Sequence, residues 1–207
     1  PQMIIKARHI PFFVRFFSFY SRNGLKRHFN DVIFECNVSA AGRPLLLIGN
    51  HFSWWDGFIA YRLNDLILHK KFHIMMLEEQ LESRLFLNKA GAFSIKRGSR
   101  SVVETLSYTS GLLHDADNMV VVYPQGVITS IHRRPVQFER GTERIIAGAS
   151  DKLMILFYVA LPDWYSEKKP GLYVRVIEYT ARERSITDLE EAYNMFLDEC
   201  ISNQIPS

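Results

Sequence analysis

Leu45 to Ile48, Met119 to Tyr123 and Leu153 to Val159 are short apolar runs without a charged side chain. Runs of this length that do not alternate with polar residues fit strands covered on both faces, and such strands belong to sheets flanked by helices. Val32 to Val38, Phe72 to Met76, Phe93 to Ile95 and Leu172 to Tyr179 read as further strands. Helices are expected from the region of Trp54 to Asp56 through Leu68, from Glu78, from Ser101 to about His114, from Arg140 to Ala149, and from Thr187 to about Ser202. Ser101-Val102-Val103-Glu104 and Thr187-Asp188-Leu189-Glu190 both have the form of a capping box. Ala41 to Pro44, Asp115 to Asn118 and Pro124-Gln125-Gly126 supply turns. Strands alternating with helices predict an α/β fold: a mixed or largely parallel sheet flanked by helices. The 207 residues suit a single domain, 1–207.

Residues Met3 to Tyr20 combine many aromatic and aliphatic groups with Lys6, Arg8 and Arg15, and Arg22 lies just beyond. This is the composition of a helix lying at a lipid headgroup layer, and it marks 1–30 as a membrane-proximal helical segment, with Pro11 interrupting it. An N-terminal helix packed on the domain is the ordinary alternative. No run of about 18 or more apolar residues occurs, so no transmembrane span is expected. The chain opens on Pro1, so a leader or anchor is not read from it. The net charge of +3 suits an anionic membrane surface, an acidic carrier protein or a phosphorylated substrate, and is too small to point to nucleic acid. Cys36 and Cys200 form no metal or redox motif and read as free thiols of a reducing compartment. The seven histidines show no paired ligand spacing, so no metal is expected.

The ends of the apolar runs carry the chemistry. After Leu45 to Ile48, His51 and Asp56 stand five positions apart at a strand-to-helix turn. A neutral imidazole is a competent base, and a carboxylate on its second nitrogen fixes the tautomer and stabilises the imidazolium. Phe93 to Ile95 runs into Lys96-Arg97, adjacent cations that can hold a phosphate. Met119 to Tyr123 breaks at Pro124-Gln125-Gly126, exposing Gln125 where ligands bind in open α/β sheets. Arg140, in Phe138-Glu139-Arg140-Gly141-Thr142, is a further candidate for neutralising a substrate phosphate. Each segment alone also has an ordinary reading: a capping aspartate, a solvated cation pair, a strand-ending turn, a surface arginine.

Taken in order, these segments resemble the glycerolipid acyltransferase family of the lysophospholipid acyltransferase type, from about Leu45 to Pro162. His51 and Asp56 match its His-x4-Asp motif, and Gly91 to Arg97 is similar to its second motif, including the closing arginine. Tyr123-Pro124-Gln125-Gly126 resembles the third, usually Phe-Pro-Glu-Gly-Thr-Arg, and Phe138 to Gly141 the Phe-Lys-x-Gly segment that follows it. The chain departs from the pattern at Gln125, at Val127-Ile128 in place of Thr-Arg, and in the fourth motif, where Ile155 to Val159 lacks a proline. A glutamine keeps the shape of glutamate and loses its charge, which favours a neutral hydroxyl acceptor over glycerol 3-phosphate or lysophosphatidate.

The resemblance implies a glycerol-3-phosphate acyltransferase-like sandwich and O-acyl transfer. His51 and Asp56 would be catalytic, with Lys96, Arg97, Gln125, Gly126 and Arg140 binding substrate. The donor would be acyl-CoA or an acyl carrier protein as co-substrate, with no cofactor. The acceptor would be a lipid or other hydroxylated compound, at the cytoplasmic face of a membrane and peripheral to it. Two alternatives share the fold: an inactive lipid-binding protein, suggested by the altered third and fourth motifs, and an acyl thioesterase, in which water replaces the acceptor.

Overall fold

Seven strands make one sheet in the computed structural model, which describes residues 4–182 and 184–204. They are β1 (Val32–Cys36), β2 (Leu45–Gly49), β3 (Lys71–Leu77), β4 (Ala92–Ile95), β5 (Asn118–Val122), β6 (Met154–Asp163) and β7 (Gly171–Glu178). Their order across the sheet is β1-β7-β6-β2-β5-β3-β4. Neighbours are parallel except β6 and β7, which are antiparallel. The α-helices are α1 (Pro11–His28), α2 (Asp56–Leu63), α3 (Glu78–Glu82), α4 (Ser101–Leu112), α5 (Gly141–Ala147) and α6 (Ile186–Ser202).

Successive strand side chains point to opposite faces, so a strand between two helical layers must be apolar at every position. On β2, Leu45 and Leu47 join the core beneath α1 and α2, with Phe17, Leu25, Phe58 and Ile59. Leu46 and Ile48 join the opposite core, beneath α4, α5 and α6, with Leu106, Ile145, Leu189 and Tyr193. The α/β fold and its mostly parallel sheet agree with the expectation from sequence.

Several boundaries differ, each for a local reason. The N-terminal segment is two pieces: residues 4–10 run along the edge strand β4, where Ile5 N donates to Ser94 Oγ (2.8 Å) and Ser94 N donates to Ile5 O (3.0 Å). This covers an otherwise open sheet edge. Pro11 does not interrupt α1; it begins it, at a position where a missing N–H is harmless. Met3 lies outside the described residues. The helix expected to Leu68 is α2 followed by a π-helical turn, Asn64–Leu68, ended by His69 in the left-handed region at φ 53°. Ser99, not Ser101, supports the start of α4, its Oγ accepting from Ser101 N at 3.1 Å. Ser185, not Thr187, caps α6, accepting from Asp188 N.

His73 on β3 is 2% exposed, and its Nδ1–H donates to the carbonyls of Lys71 (3.0 Å) and Met119 (3.2 Å). The His9 ring meets it edge-on at 4.7 Å. Burial first, then His9, holds the His73 pKa down to about 4. An unfolded chain protonates this histidine near pH 6.5, so below that pH the unfolded state takes up a proton that the fold excludes. Stability therefore falls as pH drops from about 6.5 towards 4, by roughly 3 kcal/mol in all. Asparagine keeps an N–H donor and does not titrate. Urea midpoints taken at pH 7 and about 4.5 should drop less for His73→Asn than for the parent; equal drops would place the acid sensitivity elsewhere.

Candidate active site

The parallel pairing of β2 with β5 puts Ile48 beside Val122, so the turns that leave the two strands emerge together at the C-terminal edge of the sheet. Gly49 is required there, since a Cβ would lie 2.0 Å from the Tyr158 ring. Asn50 then ties the turn to β6: its side-chain amide donates to Ala160 O (2.9 Å) and its oxygen accepts from Ala160 N (3.0 Å). His51 leaves this anchored turn with its ring stacked on Tyr123, centroids 4.4 Å apart and planes at 11°.

Asp56, the first residue of α2, is 1% exposed. Its Oδ2 accepts from His51 Nδ1 (2.7 Å), Phe52 N (2.7 Å) and Ser53 N (2.9 Å), and its Oδ1 from the Ser53 hydroxyl (3.1 Å). These donors and the positive end of a helix compensate a buried carboxylate for lost water. A carboxylate only accepts, so the His51 proton sits on Nδ1 and the lone pair on Nε2. The His51 side chain is 23% exposed and lines a cavity of about 310 Å³. An imidazole oriented in this way can take a proton from a hydroxyl placed in the cavity. Tyr123 and Tyr158 are not competing bases. Burial keeps both phenols far above their usual range, and Tyr158 donates to the Tyr123 oxygen at 2.9 Å.

Gln125 has a different place from the one expected. Its Oε1 accepts from His51 N (2.7 Å), its amide donates to Thr129 Oγ1 (2.7 Å), and Thr129 N donates to His51 O (2.9 Å). The side chain braces the His51 loop rather than lining the cavity. Lys96 turns to Glu78, at 3.1 Å, and likewise is not in the lining. Arg97 and Gly126 do line it, and Glu139 joins them through an ion pair with Arg97. Arg140 is exposed, outside the lining, at the N-cap of α5. The structure thus brings together His51, Asp56, Arg97 and Gly126. It leaves Lys96 and Gln125 to other contacts and Arg140 exposed, and adds Asn50, Ser53, Tyr123 and Glu139.

Most of the remaining cavity wall is apolar, with Phe17 from α1, Phe58 from α2, and Phe72, Ile74 and Met75 from β3, beside Gln80 and Thr142. Such a wall suits a hydrocarbon chain running from the point that His51 faces. Among the described residues, no group of three or more His, Cys, Asp or Glu side chains is placed to hold a metal ion.

A family model described as Acyltransferase matches residues 31–160. No curated protein sequence matches the chain significantly. Among solved structures, the chain is similar to the crystal structure of the 1-acyl-sn-glycerophosphate (LPA) acyltransferase, PlsC, from Thermotoga maritima. The TM-score is 0.65 at 13% sequence identity, over 94% of this chain and 81% of that one. At that identity the likeness establishes the fold.

The bracing role assigns Gln125 a distinct signature. Glutamate at this position can still accept from His51 N and accept a hydrogen bond from the Thr129 hydroxyl, whereas alanine does neither. Gln125→Ala should lower turnover by about tenfold or more with the fold intact, and Gln125→Glu by much less. Equal losses in the two variants, measured as acceptor-dependent thiol release, would remove the bracing role.

Proposed function

The chain belongs to the acyltransferase family, whose model spans 31–160, and we propose that it moves a fatty acyl group from a thioester to a hydroxyl of a lipid-like acceptor, with His51 as general base. The donor is acyl-CoA or an acyl carrier protein. The observation that carries this reading is the His51 Nδ1–Asp56 contact at 2.7 Å, which leaves the basic Nε2 for the cavity.

The reaction proceeds by addition and elimination. His51 Nε2 takes the acceptor hydroxyl proton as the oxygen bonds to the thioester carbonyl carbon. Asp56 stabilises the imidazolium that forms. The tetrahedral oxyanion collapses, the carbon–sulfur bond breaks, and the leaving thiolate takes the proton from His51. The products are an ester and a free thiol, with no covalent acyl-enzyme. The aromatic wall of the cavity holds the acyl chain.

The membrane surface belongs to the same proposal. Phe12, Phe16 and Phe19 on α1 are 70%, 45% and 59% exposed, and Phe86 and Trp54 are also exposed. The Phe17 ring stacks with Phe86 at 6.0 Å and with Phe58 at 6.2 Å, and Phe17, Phe58 and Trp54 all line the cavity. The exposed aromatic surface is therefore continuous with the apolar wall. Arg15, Arg22, Lys26 and Arg27 are exposed on the same helix, which has no acidic residue. Aromatic groups with surrounding cations suit an anionic headgroup layer, and no helix among the described residues is long and apolar enough to cross a membrane. The protein would act as a peripheral enzyme on lipid that enters from the bilayer.

Two measurements test this reading. His51→Ala should reduce acceptor-dependent thiol release by about 10²–10⁴-fold, and Asp56→Asn by a comparable factor because the amide favours the wrong tautomer. Release unchanged by both would end the general-base assignment. Replacing Phe12, Phe16 and Phe19 together by serine should weaken co-sedimentation with phosphatidylglycerol–phosphatidylethanolamine vesicles by about tenfold or more. Unaltered sedimentation would show that α1 does not meet the bilayer.

A further inference from the structure

We propose that the acceptor end of this cavity selects an uncharged, hydroxyl-rich head group and disfavours phosphate monoesters, because Glu139 already occupies Arg97. The inference rests on the acyl-transfer reading and concerns which acceptor that site takes.

Arg97 Nη2 lies 2.5 Å from Glu139 Oε1. The pair is seated across the backbone of Gly126, at φ +65°. A Cβ on Gly126 would lie 1.7 Å from Arg97 Nη2 and 2.9 Å from Glu139 Oε1. The glycine therefore makes room for the guanidinium and its carboxylate together. Glu139 is also fixed from its backbone: its N–H donates to Pro124 O (2.9 Å), two residues before Gly126, and its carbonyl accepts from Thr142 N (3.3 Å). In sequence, Glu139 stands where the Phe-Lys-x-Gly pattern carries a lysine, so the local charge is reversed.

Arg97 and Glu139 are the formally charged side chains among the described residues lining the cavity, and they sum to zero. Lys96 is engaged by Glu78, and Arg140 is exposed outside the lining. A phosphate monoester carries a charge of about −1.5 to −2 near neutrality. At Arg97 it must displace the Glu139 carboxylate or lie against it, and it finds no second lining cation. A hydroxyl has neither difficulty. It accepts from the guanidinium and donates to the carboxylate, so a head group with adjacent hydroxyls can bridge the pair as it stands.

The test compares 1-monoacylglycerol, its glycosyl derivative and lysophosphatidate of the same chain length as acceptors. Thiol release is followed from palmitoyl-CoA and from palmitoyl-acyl carrier protein. Uncharged acceptors should exceed lysophosphatidate in kcat/KM by about tenfold or more. Glu139→Gln, which frees Arg97, should shift that ratio about tenfold towards lysophosphatidate, and adding Arg97→Gln should reverse the shift. Preference for lysophosphatidate in the parent, or a ratio unmoved by Glu139→Gln, overturns the proposal. If no acceptor stimulates release, the acyl-transfer reading fails, and calorimetric binding of lysophosphatidate and glycosyl monoacylglycerol still decides the charge argument. Tighter glycolipid binding by the parent, with lysophosphatidate binding gained in Glu139→Gln, upholds it; equal affinities refute it.

Discussion

Asp56 is a carboxylate almost without solvent at the start of a short helix, and the geometry of the site follows from how that charge is satisfied. Two backbone N–H groups, a serine hydroxyl and an imidazole N–H converge on it within residues 51–56. Leaving any of those donors unpaired, or the carboxylate bare, is unfavourable at this depth. The loop therefore has little freedom to point His51 elsewhere. The contacts that satisfy the buried Asp56 side chain are the same contacts that fix the tautomer and direction of His51.

That loop would be of little use without its neighbours, and these come from the sheet. Parallel pairing places the ends of β2 and β5 side by side, so Tyr123 becomes the platform under His51 and Gln125 reaches the His51 backbone. The β6 strand supplies the other flank, through Ala160 to Asn50 and through Tyr158 beside Gly49. Tyr193, from α6, donates to Tyr158 O at 2.9 Å, which ties the helix on the far face to the same place. His51 is thus held by three central strands rather than by a free loop, as its proposed role as a base acting on a hydroxyl at hydrogen-bond distance requires.

What could be read in the sequence was the part that depends on near neighbours. Leu45 to Ile48 and Met119 to Tyr123 announced central strands because burial on both faces leaves no room for alternation. His51 and Asp56 were legible because the six residues 51–56 enclose the whole interaction. Pro11 does divide the N-terminal segment, but because proline both breaks helices and begins them, only the extended segment 4–10 along β4 shows that it begins α1. Ser185 and Thr187 each have an acidic residue three positions on, so local pattern could not choose the cap of α6. Gln125 is expected at the cavity and instead braces His51, and Arg97 lines the cavity as expected but with a carboxylate partner that the motif does not show. Their partners, His51 and Glu139, lie 74 and 42 residues away, and no local pattern contains such a distance.

The site divides into two parts with separate origins. His51 and Asp56 are enclosed within the turn after β2 and the first residue of α2. Arg97, Gly126 and Glu139, proposed to meet the acceptor, come from beyond the ends of β4 and β5 and from the segment leading into α5. Substitution of Glu139 changes the charge offered to an acceptor while touching none of the donors that surround Asp56. Changes in the third motif act differently, since Gln125 and Tyr123 support His51 directly. A glutamine there is compatible with catalysis because its two ends meet one donor, His51 N, and one acceptor, the Thr129 hydroxyl. The departure of the third motif from its usual form therefore bears less on whether the base is held than on the charge near it. On the proposal made above, the choice of acceptor falls instead to the Arg97–Glu139 pair across Gly126, where the Glu139 carboxylate already stands against the guanidinium.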